Sequence, residues 1–402
     1  MTIMPQQVFA RETIFWCALF TLSFNAVGVA HGPILPSGWE SPSEVRAQVW
    51  HVLPVEMETD SSTAENTVEE FVEVRVGAGR IQRWRGEIVN FSGTGLILRL
   101  SDGTEKHFPV DKVASFSPNT SSLCQQAMER LSEGAVSEAL ALFARARSVE
   151  PREWRRREIT AHIVRCYHAL GDYARAAEEF VDRLIALDPQ SPFVWCIPLA
   201  WFPEETVSLA GPQARNWLNS GPAWVQLLGA SYLLDSPASA QGVTVLERLR
   251  SASDKTVALL ASAQLWRREW QAVQPEQLPQ WEKAIERLPD RLKAGPCYLL
   301  GLAWKQQKAI DRSMVCFLKP PLLWPDNRRV AARCLWEAAE LAGKLAATVP
   351  PDSGDAADYQ YEYQTLVKEL VRRFPEAPWA ARARAEIRPN APKDGSRLPD
   401  GL

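Results

Sequence analysis

Residues 124–151, CQQAMERLSEGAVSEALALFARARSVEP, and residues 158–189, EITAHIVRCYHALGDYARAAEEFVDRLIALDP, read as two copies of one helix-turn-helix unit. Gly134 and Gly171 lie 37 residues apart, and Pro151 and Pro189 lie 38 apart. A glycine between two helices supplies the left-handed residue that ends the first, and a proline cannot continue the second. In the second copy Ile159, Ile163, Tyr167 and Leu170 recur at helical spacing and mark one buried stripe. Tyr173, Ala176, Ala177, Phe180 and Leu184 then face back onto it, the alanines permitting close helix approach while Phe180 fills the groove above them. Ala127, Ala139, Phe143 and Ala146 hold the matching places in the first copy. The second copy carries one extra residue before its proline, so its last turn is expected to be irregular.

The spacing resembles the tetratricopeptide repeat, whose period is about 34 residues. Near the C-terminus, YQTLVKELVRRFPEAPWAARARAEI resembles the closing repeat of bacterial envelope proteins of this type through Leu366, Leu370, Phe374-Pro375, Ala377-Pro378 and Ala380-Ala381. Trp324-Pro325 and Ala331-Ala332 hold the corresponding places earlier in the chain. The resemblance implies a mainly α protein, an α-α superhelical solenoid in which each helix pair buries its apolar face against its neighbours. Residues 119–189 would be two recognisable units and residues 190–388 degenerate ones, with ATVPPDSGDAAD between Ala346 and Tyr359 a loop by composition. Such repeats imply a scaffold for a protein or peptide partner in the superhelical groove, without chemistry of its own.

Ahead of the helices, residues 68–118 change to a period of two. Val72, Val74 and Val76 alternate with Glu73 and Arg75, and Leu96, Leu98 and Leu100 alternate with Ile97 and Arg99. Asp102-Gly103 between two such runs predicts a type I′ hairpin turn. A small antiparallel β module follows, similar to SH3-like or Sm-like barrels, with Trp84 and Phe91 as candidates for peptide or cell-wall contact.

Residues 1–30 read as an export signal: Arg11 precedes the apolar run IFWCALFTLSFNAVGVA, which ends in the small-x-small site Gly28-Val29-Ala30. An uncleaved membrane anchor is the alternative. Residues 31–67 form a polar, proline-rich linker and residues 389–402 a disordered tail by composition. Export places the protein in the periplasm or cell envelope, where disulfides are permitted. The cysteines after the signal nevertheless show no CxxC and no framework spacing, and Cys166 beside Tyr167 and Leu170 reads as a small buried hydrophobe.

Net charge is -3, so no basic field argues for a nucleic-acid partner. The nucleophile, metal and phosphate-loop templates HExxH, GxSxG, GxxxxGK[ST] and paired CxxC are missing, and no cofactor or metal is expected. His162 and His168 are six residues apart, about 600° of helical rotation, and so fall on different faces. The run REWRRRE from Arg152 to Glu158 mixes acids with bases and reads as a salt-bridged surface turn.

Tryptophan is the sharpest remaining signal. Trp195, Trp201, Trp217, Trp224, Trp266, Trp270, Trp281, Trp304, Trp324 and Trp336 all fall in the degenerate repeats. Most are expected in the core, with a minority lining the groove as a binding surface. WRREW offers the best partner-binding candidates: Trp266, Arg267, Arg268 and Trp270. The function expected is an exported, non-enzymatic scaffold. The alternatives are a glycan-binding accessory or enzyme of cell-wall metabolism, and a structural assembly protein.

Overall fold

The computed structural model describes residues 69–77, 80–203 and 211–387. The export segment, the linker and the tail expected from the sequence lie outside the described residues.

The β module is two three-stranded antiparallel sheets. In one, β1 (Phe71–Val76) lies between β2 (Arg80–Arg85) and β6 (Val113–Ser117); in the other, β4 (Gly95–Arg99) lies between β3 (Glu87–Ser92) and β5 (Glu105–Phe108). The alternation is obeyed: Val72, Val74, Leu96 and Leu98 point into the core with Ile88 and Phe91. Among the described residues no ladder joins the two sheets, so the strands do not close into a barrel. The β4–β5 turn also departs from type I′. Gly103 has φ 83°, Asp102 is not left-handed, and the Gly103 N–H donates to Leu100 O at 3.0 Å. Three loop residues make a type I turn closed by a glycine bulge, which needs one left-handed residue instead of two.

The two recognised repeats form α1 (Ser122–Ser132), α2 (Val136–Val149), α3 (Glu153–Leu170) and α4 (Tyr173–Phe180). Gly134 and Gly171 are left-handed, with φ of 90° and 81°. Ala135 N–H reaches back to Arg130 O at 2.9 Å and Asp172 N–H to Tyr167 O at 2.9 Å, closing the same Schellman turn twice. The extra residue of the second repeat is absorbed after α4 by a π-helical turn, Val181–Ile185, where Ala186 N–H donates to Val181 O at 2.9 Å. A π turn holds one more residue than an α turn, so the surplus costs no break in the helix.

Beyond residue 210 the helices continue as α5 (Gly211–Trp217), α6 (Ala223–Leu233), α7 (Ser239–Leu249), α8 (Lys255–Glu269), α9 (Leu278–Glu286), α10 (Ala294–Gln306), α11 (Ile310–Leu323), α12 (Arg328–Thr348), α13 (Gly354–Arg373) and α14 (Pro378–Ile387). The Schellman turn recurs between α10 and α11, but Lys308 at φ 58° stands where the first repeats have glycine. Ala309 N–H donates to Trp304 O at 3.0 Å, as in the other two turns. The turns at Trp324 (φ -134°, ψ 51°) and Phe374 (φ -129°, ψ 54°) match each other too, as Trp-Pro and Phe-Pro suggested. The loop expected from Ala346 to Tyr359 is shorter than its composition implied. Ser353 caps α13 by accepting Ala356 N–H at 3.2 Å, and the residues after it are helical.

The six cysteines from Cys124 to Cys334 are buried thiols, as read from the sequence. Cys297 Sγ donates to Cys316 O at 3.3 Å, a carbonyl that Pro320 leaves without its helical donor.

REWRRRE is ion-paired but is not a surface turn. Arg152 bonds the buried Glu70 carboxylate at 2.6 Å, which also accepts the amides of Ile88 (2.6 Å) and Asn119 (2.7 Å). Trp154 Nε1 donates to Ile88 O at 3.1 Å and Arg157 to Phe91 O at 3.1 Å. The run clamps the β module onto the start of α3. Phe91 belongs to this junction, edge-on to Phe116 and Phe193, and Trp84 lies under Lys106 Nζ at 3.6 Å.

The last helix pair meets the first. Ser137 Oγ donates to Glu376 at 2.8 Å and the Ser137 amide lies 3.2 Å from the same carboxylate, so the uncapped start of α2 is capped from the far end of the chain. Arg328 donates to Leu131 O at 2.9 Å and Arg373 O at 2.5 Å, satisfying carbonyls at the ends of α1 and α13.

Lys308 pays the steric penalty of a Cβ in the left-handed region that glycine escapes. Lys308→Gly is expected to stabilise the protein by roughly 1 kcal/mol, read as a higher urea midpoint at unchanged slope.

Candidate binding site on the inner face

After the π turn the chain gives up helical geometry, and residues 197–202 run irregularly through the middle of the helices with every residue buried. Buried backbone polar groups need partners, and here side chains supply them. Tyr232 OH donates to Pro198 O at 2.9 Å, and Gln264 Nε2 donates to Ala200 O at 3.1 Å. The Ala200 amide donates to Ser231 Oγ at 3.1 Å. His168 Nε2 lies 3.2 Å from Leu199 O; a carbonyl can only accept, so His168 carries a proton on Nε2. Trp201 lies on Gly295, where an added Cβ would sit 2.1 Å from the indole ring. Phe202 packs edge-on to Tyr298 at 5.2 Å and Trp379 at 5.3 Å. Helices α3, α6, α8, α10 and α14 therefore all contact this one segment.

Just before it, in the Val194–Cys196 turn, Trp195 faces a polar stripe of α3. Arg155, Glu158, His162 and Arg165 recur there at spacings of three and four residues, so one face of the helix carries all of them. His162 stacks on Phe143 of α2 (5.1 Å, 9°) and meets Trp195 edge-on at 5.8 Å. Arg165 lies 5.4 Å from the Trp195 ring centre, and Arg291, from the turn before α10, lies 4.4 Å from it. Asp326, between α11 and α12, acts electrostatically on both His162 and Arg165. Burial, then the Arg291 charge, drives the His162 pKa down to about 4, and burial also lowers that of Arg165. Yet His162, Arg165 and Trp195 each keep part of their surface accessible. Arg291 is exposed beside them, so the cluster is reached by water.

Two details set this place apart. Arg155 is neutralised by its ion pair with Glu158, whereas among the described residues Arg165 and Arg291 have neither a hydrogen bond nor an ion pair. A depression of about 410 Å³ beside Tyr167 and Arg175 is lined by arginines that are already paired, Arg183 with Glu179 at 3.3 Å and Arg175 with Asp172 at 2.7 Å.

Of the tryptophans named from the sequence, Trp201, Trp217, Trp224, Trp266, Trp281, Trp304 and Trp336 are core, while Trp195, Trp270 and Trp324 are half-buried. The WRREW residues do not share one exposed face. Trp266 stacks on Trp281 (4.3 Å, 6°), and Arg267 is buried, donating to Ser231 O at 2.8 Å and pairing with Asp235. Arg268 is exposed and Trp270 half-buried. The i, i+4 spacing identified a shared helix face, but that face packs inward. Sequence reasoning missed Arg165, Arg291 and Asp326, which come from three separate elements; the α3 stripe was the available signal.

Among the described residues no group of three His, Cys, Asp or Glu side chains could hold a metal ion, and no helix is long and apolar enough to cross a membrane.

The buried neutral His168 gives a pH prediction. Burial, reinforced by Arg329, lowers its pKa to about 3, so below the unfolded value near 6.5 the unfolded chain binds a proton that the folded one refuses. Stability is complete above pH ~6.5 and falls as pH drops toward the folded value. Between pH ~6.5 and ~4 the wild type is expected to lose roughly 3 kcal/mol more than His168→Gln, as read from urea unfolding at a series of pH values.

Comparison with protein-family models, with curated proteins and with solved structures returns no match to this chain.

Proposed function

We propose that the protein is an exported, tetratricopeptide-type scaffold that binds a protein or peptide partner in the cell envelope and performs no catalysis. The repeat spacing and the twice-repeated glycine turn support the tetratricopeptide reading, and the apolar run ending at Ala30 supports export. The observation that carries partner binding is the cluster in which Arg165 and Arg291 pack on a partly accessible Trp195 with no hydrogen bond or ion pair of their own among the described residues. Arginine and tryptophan are the side chains most often dominant in binding energy. Elsewhere the interior groups serve the fold: His168, Ser231, Tyr232 and Gln264 hold the chain's own residues 198–200. That leaves the cluster around Trp195 as the place where a partner's contact is expected.

A photo-crosslinking amino acid placed at Asp290, next to Arg291, or at Asp326, which acts on Arg165, and at Ile81 on the β module tests this in the native cell. The reading expects defined adducts with one partner from Asp290 or Asp326 and fewer from Ile81. Adducts only from Ile81 would oppose it.

A further inference from the structure

We propose that the pocket formed by Arg165, Trp195 and Arg291 binds a carboxylate, namely the free C-terminus of a peptide partner. Partner binding itself rests on the scaffold reading above; the carboxylate chemistry rests on the pocket alone.

A guanidinium packed over an indole ring keeps its in-plane N–H donors for another acceptor. Arg165 and Arg291 both pack on Trp195, at 5.4 and 4.4 Å, and no described side chain or carbonyl takes up those donors. Two such forks around one ring suit an oxyanion, which guanidinium recognises through paired hydrogen bonds. Charge selects the kind of oxyanion. Glu158 cancels Arg155, and Asp326 offsets one of the two remaining arginines without reaching ion-pair distance. His162, stacked on Phe143, is neutral and adds no charge. Asp326 acts on Arg328 as well, so the place keeps a positive excess that a carboxylate monoanion satisfies, while the Asp326 charge nearby disfavours a phosphate dianion.

The surroundings select a chain end. Cys196 and residues 197–202 follow Trp195 directly and fill the interior beyond it. With the protein's own chain occupying the interior beyond Trp195, a chain end can approach the two arginines where a strand running through would meet that chain.

The test is a titration of the full chain, labelled with fluorotryptophan and observed by fluorine NMR, with the Trp195 resonance assigned from Trp195→Phe. N-acetylglycine serves as the minimal peptide C-terminus, N-acetylglycinamide as its uncharged counterpart, and inorganic phosphate as the competing oxyanion. The expected result is a saturable shift of the Trp195 resonance by N-acetylglycine in the millimolar range. Arg165→Gln and Arg291→Gln should each weaken it about tenfold, the effect of one charged hydrogen-bonding partner, while Arg268→Gln leaves it unchanged. Neither Arg165 nor Arg291 supports another described residue by a hydrogen bond or ion pair, so both variants should fold, as the remaining tryptophan resonances report. No saturable shift, an equal response to the amide, tighter binding of phosphate, or indifference to both arginine substitutions would overturn the proposal. Should it fail while crosslinks from Asp290 or Asp326 persist, the scaffold reading stands and only the carboxylate assignment falls.

Discussion

An irregular strand of backbone, residues 197–202, lies buried among helices, and a peptide group shut away from water must find a partner or cost about 1–3 kcal/mol. The neighbouring helices meet that demand with unlike side chains: an imidazole from α3, a hydroxyl and a phenol from α6, and an amide from α8. The amide is held in turn by Arg267, which Asp235 pairs. Gly295 and Tyr298 of α10 and Trp379 of α14 complete the enclosure around Trp201 and Phe202. Because these contacts come from both halves of the helical region, the segment fixes how the helices stand relative to one another.

The seam between the first and last helix pairs follows the same economy. The start of α2 lacks a cap of its own and receives Glu376, while Arg328 answers carbonyls at the ends of two helices. Helix ends that an open array would leave to water are used here to join it. Trp195, at the edge of the buried segment, stays partly accessible beside two unpaired arginines.

Local periodicity was legible in the chain wherever a residue's role depended on its neighbours. Ala127, Ala139, Phe143 and Ala176 are buried where helical spacing put them, and Val72 and Leu98 where alternation did. The one surplus residue before Pro189 became a π turn. Where the reading fell short, the cause was long-range or backbone-borne. Lys308 does the work of a glycine and so hides a repeat turn. The two sheets stay separate because pairing between distant strands is not written in either strand. WRREW looked like a surface because spacing reports which residues share a face and not what covers it. The pocket at Trp195 draws on α3 and three separate turns, so only the stripe from Arg155 to Arg165 was visible in advance.

The helices close around residues 197–202, and hydrogen exchange of the full chain tests that enclosure. The Leu199 amide, bonded to Ile197 O at 3.0 Å, and the Ala200 amide, bonded to Ser231, lie in a stretch without helix or strand. Enclosure predicts protection comparable to the middle of α6 and α10, because both would open only with the surrounding helices. Exchange at the rate of an exposed loop, with α6 and α10 still protected, would contradict it.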